Sequence, residues 1–90
     1  MNIDELYTLY LAQAQKITTD TRKISKGQIY FALKGANFDG NTFALEALKL
    51  GARYAVVDDI DLKNEKGIIY VEDVLTTLQD LALYHRQRLN

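Results

Sequence analysis

TTDTR at residues 18–22 puts three hydroxyls, a carboxylate and a guanidinium into five positions. KGANFDG at residues 34–40 frames a short polar loop with Gly35 and Gly40. Threonine and aspartate side chains capture nearby backbone amides, so the first segment reads first as a turn locked by an Asp–Arg pair. Arg22 has a second use, because a guanidinium free of Asp20 or Asp39 can grip a phosphate with two parallel donors. In the second segment the glycines permit positive φ and a close approach of backbone to a ligand. A loop leading from a strand into a helix N terminus is also where anions and nucleotides sit. Taken singly, neither segment distinguishes an elaborate turn from one wall of a binding site.

Other chemistries find few residues to run them. The chain has no cysteine, which removes disulfides, thiolate metal sites and thiol nucleophiles, and fits a reducing cytoplasm. The single histidine, His85, makes neither a zinc site nor a Ser/His/Asp triad on its own. It shares a helical stripe with Val74, Leu78 and Leu81, where a partly buried structural histidine is expected. The five glycines fit neither GxGxxG nor GxxxxGK[ST], so the chain carries no phosphate loop for ATP. Asp58, Asp59 and Asp61 lack the spacing and central glycine of an EF-hand and read as a solvated loop. The six tyrosines are dispersed, as packing residues rather than a stacking platform. With 11 basic against 12 acidic residues there is no cationic excess to draw a nucleic acid. The acidic start MNIDELY and the short apolar runs give neither a signal peptide nor a membrane span. What remains favours recognition over catalysis.

The elements that must position these residues follow from periodicity. Ninety residues suit one domain, and an apolar fraction of 48% with 26% charged residues is that of a soluble globular protein. Asn2 and Glu5 form a capping-box pattern ahead of a helix carrying Ile3, Leu6, Tyr7, Tyr10 and Ala14 on one face. Residues 17–19 suit a short strand. QIYFAL (28–33) is a stronger one, with Ile29, Phe31 and Leu33 on one face and Tyr30 and Ala32 on the other, so both faces expect cover. Asn41 or Thr42 is placed to cap a helix with Phe43, Ala44, Ala47 and Leu48 inward, ended by a left-handed Gly51. RYAVVDD (53–59) and GIIYVED (67–73) read as two further strands. Asp73 then caps a last helix bearing Val74, Leu78, Leu81 and His85, with Leu75, Ala82 and Leu89 beside them. Strands alternating with helices give a small single-domain α/β layer with a mixed or mostly parallel sheet. The helix that closes on RQRLN reads as a chain cut at a domain boundary.

TDTR (19–22), KGQIYFALKG (26–35), FDG (38–40) and GARYAVVDD (51–59), in that order and spacing, resemble the N-terminal domain of the Mur ligases, the ATP-dependent enzymes that build the peptidoglycan stem peptide. The likeness covers nearly the whole chain. ALKG followed by FDG is closer in wording to the branch that adds D-alanyl-D-alanine (MurF) than to the branch that adds the third residue (MurE). The resemblance implies a UDP-substrate-binding domain over residues 1–90, with the central ATP-binding and C-terminal domains absent from this chain. It implies that Thr19 and Thr21 lie at the nucleotide, and that Ala36, Asn37 and Phe38 add contacts to uridine or diphosphate. Ala36 offers only backbone or apolar contact where some relatives carry a polar side chain. Asp20, Arg22, Gly35, Asp39 and Gly40 are then the support that fixes both loops.

In such an enzyme ATP phosphorylates the peptide carboxylate, and an amine attacks the acyl phosphate. The P-loop, the magnesium ligands and the amino-acid pocket belong to the other two domains. The resemblance therefore implies a cytoplasmic, cell-wall-building ligase in which this piece holds no cofactor and no metal and is inert alone. Its partners are UDP-N-acetylmuramoyl-peptide and its own central and C-terminal domains, with no nucleic acid and no membrane. Two other readings stand beside it. One is the same domain of a MurE-type ligase. The other is a regulatory or interaction module of related fold, like the N-terminal part of the bacterial HPr kinase/phosphorylase. That second reading leaves the pairing of TDTR with the FDG loop unexplained.

Overall fold

A computed structural model describes residues 1–89. Its helices are α1 (Ile3–Ala12), α2 (Ala44–Lys49) and α3 (Val74–Arg88), and its strands are β1 (Ile17–Thr18), β2 (Ile29–Phe31), β3 (Tyr54–Val57) and β4 (Ile68–Tyr70). Three short 3-10 turns lie at Thr21–Lys23, Gly40–Phe43 and Ile60–Leu62. The four strands form one sheet in the order β1-β2-β3-β4, and every pairing is parallel. The expected mixed or mostly parallel sheet is thus wholly parallel among the described residues.

Both faces of the sheet are covered, which is why its strands read as unbroken apolar runs. Ile29, Phe31, Val56 and Ile69 face α1 and α3 and pack with Leu6, Val74 and Leu81. Tyr30, Ala32, Ala55 and Val57 face the other way, onto Ala44 and Ala47 of α2. The register keeps those sets apart, with Tyr30 beside Ala55 and Phe31 beside Val56. Small side chains on both sides of the α2 interface bring this six-residue helix close to the sheet. On the opposite face the side chains are large. Removing one of them, as in Leu6→Ala, costs about 2–5 kcal/mol by the usual cavity penalty.

Local chemistry explains the element ends. Asn2 accepts from the Glu5 amide while the Glu5 carboxylate accepts from the Asn2 amide, a complete capping box. Asp73 accepts from the Thr76 amide and starts α3. Gly51 leaves α2 at φ 118°, a left-handed residue that glycine adopts freely.

Three expectations are corrected. The first helix stops at Ala12, and Ala14 leaves its face because Ala14 and Gln15 turn left-handed at φ 57° and 62°. The Gln15 amide then donates to the Tyr10 carbonyl. Neither Asn41 nor Thr42 caps α2. A 3-10 turn precedes it, and the cap of that turn is Asp39, which accepts from the Asn41 amide. Phe43 sits at the junction of the two and points outward, 42% exposed.

Candidate functional site

A parallel sheet delivers the loops that follow its strands to one edge. Here that edge receives residues 19–22 after β1, residues 34–40 after β2, Asp58 and Asp59 after β3, and Asp73 before α3. The two segments singled out in the sequence thus follow neighbouring strands. They converge on Tyr30, whose buried hydroxyl donates to the Gly40 carbonyl at 3.0 Å. Burial raises the Tyr30 pKa, and the carboxylates of Asp20 and Asp39, one from each segment, push it the same way.

The first segment is a turn built from its own side chains. The Thr18 hydroxyl lies 3.1 Å from the Asp20 amide, which donates to it. Asp20 Oδ1 accepts from the Arg22 amide, and the Arg22 guanidinium grips the same carboxylate with Nε to Oδ1 at 3.1 Å and a terminal nitrogen to Oδ2 at 3.0 Å. Those hydrogen bonds, first from the side chain and then from the backbone, hold the Asp20 carboxyl below its ordinary pKa. Arg22 is therefore engaged within the turn rather than turned toward a phosphate. Thr19 is exposed and Thr21 half-buried, and neither hydroxyl has a side-chain hydrogen bond among the described residues.

The second segment is a miniature hairpin. Lys34 and Asp39 pair antiparallel, the Gly35 amide donates to the Phe38 carbonyl at 2.9 Å, and the Gly40 amide donates to the Leu33 carbonyl at 2.7 Å. Ala36 and Asn37 form its exposed tip, and Phe38 is 58% exposed. Neither glycine takes the positive φ expected of it. At Gly35 a Cβ would stand 2.3 Å from the Phe38 ring, an exposed side chain with room to move. Gly40 is needed because a Cβ would meet the Leu33 carbonyl at 2.6 Å and the Ala32 backbone at 2.9 Å. Phe38 thus packs on its own hairpin while leaving most of its ring free.

Behind the hairpin is a network missed from the sequence. Asn41 Nδ2 donates to Asp39 Oδ1 and to Asp58 Oδ1, both at 2.8 Å. Asn41 Oδ1 accepts from the amides of Asp58 and Asp59 at 3.0 and 3.3 Å. Asp58 Oδ2 accepts from the Val74 amide at the start of α3, and Lys34 Nζ lies 3.1 Å from Asp58 Oδ1. Asp58 is therefore no solvated loop residue, since its side chain is only 10% exposed. Burial pushes its pKa up, but the bonds from Asn41, the Val74 amide and Lys34 outweigh it and hold the carboxyl below its ordinary value. The sequence did carry a pointer, because Asp58 directly follows a parallel strand at its carboxyl end.

The carboxylates of Asp20, Asp39 and Asp58 accept hydrogen bonds from within these turns, and Arg22 and Lys34 pair with the first and the last of them. Asp20, Arg22, Gly35, Asp39 and Gly40 are all engaged by hydrogen bonds within these turns. Thr19, Asn37 and Phe38 are exposed beside them, and Thr21 is half-buried. Two cavities lie elsewhere: one of about 350 Å³ beside Ile3, Ile69, Glu72 and Asp80, and one of about 160 Å³ beside Tyr10, Leu78 and His85. Next to the second, the Tyr7 hydroxyl and His85 Nδ1 hydrogen-bond at 3.0 Å, which gives His85 the structural place expected of it.

Residues 13–86 match the family described as "Mur ligase family, catalytic domain". The UDP-N-acetylmuramoyl-tripeptide–D-alanyl-D-alanine ligase of Bacillus subtilis is 40% identical over 81% of this chain and 16% of its own length. The UDP-N-acetylmuramoyl-L-alanyl-D-glutamate–2,6-diaminopimelate ligase of Aquifex aeolicus is 38% identical over 76% of this chain and 14% of its own length. The crystal structure of the MurF ligase from Thermotoga maritima in complex with ADP superposes with a TM-score of 0.75 at 28% identity, covering 83% of this chain and 17% of that one. The chain spans about a sixth of the length of these relatives.

Proposed function

The chain belongs to the Mur ligase family, and from that premise we propose that it holds the UDP end of a UDP-N-acetylmuramoyl-peptide for a MurF-type ligase. One observation carries this reading. Two loops from neighbouring parallel strands reach the same sheet edge, their supporting side chains consumed by internal bonds and Thr19, Thr21, Asn37 and Phe38 left available. Thr21 and Thr19 then address the nucleotide, Asn37 supplies amide hydrogen bonds, and Phe38 offers an apolar face to the base. Ala36 contributes backbone or apolar contact. Arg22, paired with Asp20, serves the turn that carries both threonines.

The role is one of positioning. Fixing one end of a long substrate presents its distant carboxylate to the machinery that forms the amide bond. ATP and magnesium supply the carboxylate activation in domains outside this sequence, which itself contains no phosphate loop. On this reading the 90-residue piece binds substrate but does not turn it over. A MurE-type ligase is the second reading, favoured by the Aquifex aeolicus relative at nearly the same identity. It uses the same nucleotide end with a shorter peptide.

Amide shifts recorded during titration with UDP and with UDP-N-acetylmuramoyl-tripeptide test the proposal. Changes are expected at residues 19–22 and 35–40. Thr21→Val keeps the shape and removes the hydroxyl, and should weaken binding about fivefold with the fold intact. Absence of shifts at millimolar ligand would defeat the proposal. Unchanged affinity in Thr21→Val would remove Thr21 from the contact set.

A further inference from the structure

Asn41 is buried as deeply as the apolar core, at 4% exposed, and both of its amide groups are fully used. It does not serve α2, whose preceding turn is capped by Asp39. Its bonds run instead between two loops: to Asp39 at the closing end of the hairpin, and to Asp58 after β3. Asp58 continues the connection to the Val74 amide of α3 and, through Lys34, to the opening end of the same hairpin. Both ends of the hairpin thus hang on one amide–carboxylate pair, while its tip makes no such tie.

We infer that Asn41 and Asp58 are positioning residues that set the hairpin of residues 34–39 over the carboxyl edge of the sheet and couple it to the start of α3. The pair lies behind the hairpin, Asn41 buried and the Asp58 side chain nearly so, rather than at its exposed tip. It acts through the placement of Asn37 and Phe38, so its effect on affinity rests on the nucleotide reading above, whereas its effect on the hairpin does not. An amide suits the position because it donates to two carboxylates at once while accepting from two backbone amides. A carboxylate at 41 would face Asp39 and Asp58 with no donor between them.

The test is amide hydrogen exchange on the free chain, combined with UDP titration. Asn41→Asp should speed exchange at Gly35, Gly40 and Val74 while Ala32, bonded to the Val56 carbonyl in the sheet, stays protected. UDP affinity should fall about tenfold or more. The double exchange Asn41→Asp with Asp58→Asn returns a donor–acceptor pair across the same gap, and should recover part of both losses. If Asn41→Asp does not fold, Asp58→Asn alone is read by the same criteria, since it keeps the shape and loses one arm. Unchanged exchange at Gly35 and Gly40 in a folded variant overturns the inference. So does loosening of Ala32 in step with them, which would mark the pair as general core structure. If the parent chain shows no UDP shifts but the hairpin loosens selectively, the nucleotide reading falls and the positioning pair stands.

Discussion

The Phe38 ring lies directly over Gly35, so near that a Cβ on Gly35 would come within 2.3 Å of the ring edge. The glycine is therefore a seat for an aromatic side chain, and the turn around it is ordinary in φ. Gly35→Ala should swing the ring rather than break the fold, because Phe38 is mostly solvent-exposed and has room to move. The expected outcome is a large shift of the Phe38 ring resonances with a stability change below about 1 kcal/mol in urea unfolding. A larger loss would show that the ring braces the hairpin.

Gly40→Ala should behave differently. The new methyl would press on the backbone of Leu33 and Ala32, neither of which can rotate away. A loss of about 2–3 kcal/mol is expected, at the upper end of overpacking penalties, read as a lower urea midpoint at constant slope. Equal effects at Gly35 and Gly40 would contradict this account of the two glycines.

Asp58 gives the pH dependence a sign. Its carboxyl titrates below the ordinary 3.8, so the folded state favours the ionised form more than the unfolded chain does. That contribution is complete above the unfolded value and is lost as pH falls through 3.8 and beneath. Lys34 is the mirror case: its pKa is raised by Asp58, so its share is present below 10.5 and fades as pH rises beyond that. Unfolding curves from acid to neutral pH should show Asp58→Asn destabilising at pH 6, with the gap to the parent chain closing toward pH 3. A constant gap would assign the loss to packing instead of charge.

Tyr7 and His85 join α1 to α3 across 78 positions of sequence. Nearby, the Tyr84 hydroxyl donates to Asp4, adding a second polar clasp between the same helices. Tyr7→Phe keeps the ring contacts with Tyr10 and Tyr84 and removes the hydroxyl. It should cost about 1 kcal/mol in chemical unfolding, the usual net value of one partly buried hydrogen bond. No measurable change would mean that solvent replaces the bond at no loss.

What the sequence disclosed was whatever its local patterns determine. The alternation through residues 29–33 separated the two core faces correctly, because a strand has a period of two and both faces are buried. Asp73 as a cap and Gly51 as a helix end were legible because each acts within four residues of itself. Asn41 was misread as a cap for the opposite reason. Its defining partner, Asp58, lies 17 residues away and comes near only when β2 and β3 pair. Asp58 suffered likewise, grouped with Asp59 and Asp61 by proximity in sequence although of the three only its side chain joins Asn41, the Val74 amide and Lys34. The glycines of the second loop show a subtler limit. A composition reader expects glycine to serve φ, and nothing local reveals a ring or a crossing backbone above it. Ala14 is a related case, since an alanine in the left-handed region advertises no helix end.

The strand order β1-β2-β3-β4 has one more consequence. Each strand lies beside the one made just before it, so no strand must wait for a distant segment before it can pair. As the chain leaves the ribosome, the sheet can grow from one edge in the order of synthesis, and loop-closure cost stays small at every step. The carboxyl edge of the sheet is assembled last at each addition, by the loop that follows the newest strand. Folding and site-building therefore advance together along the chain, from the two-residue β1 to the capped start of α3.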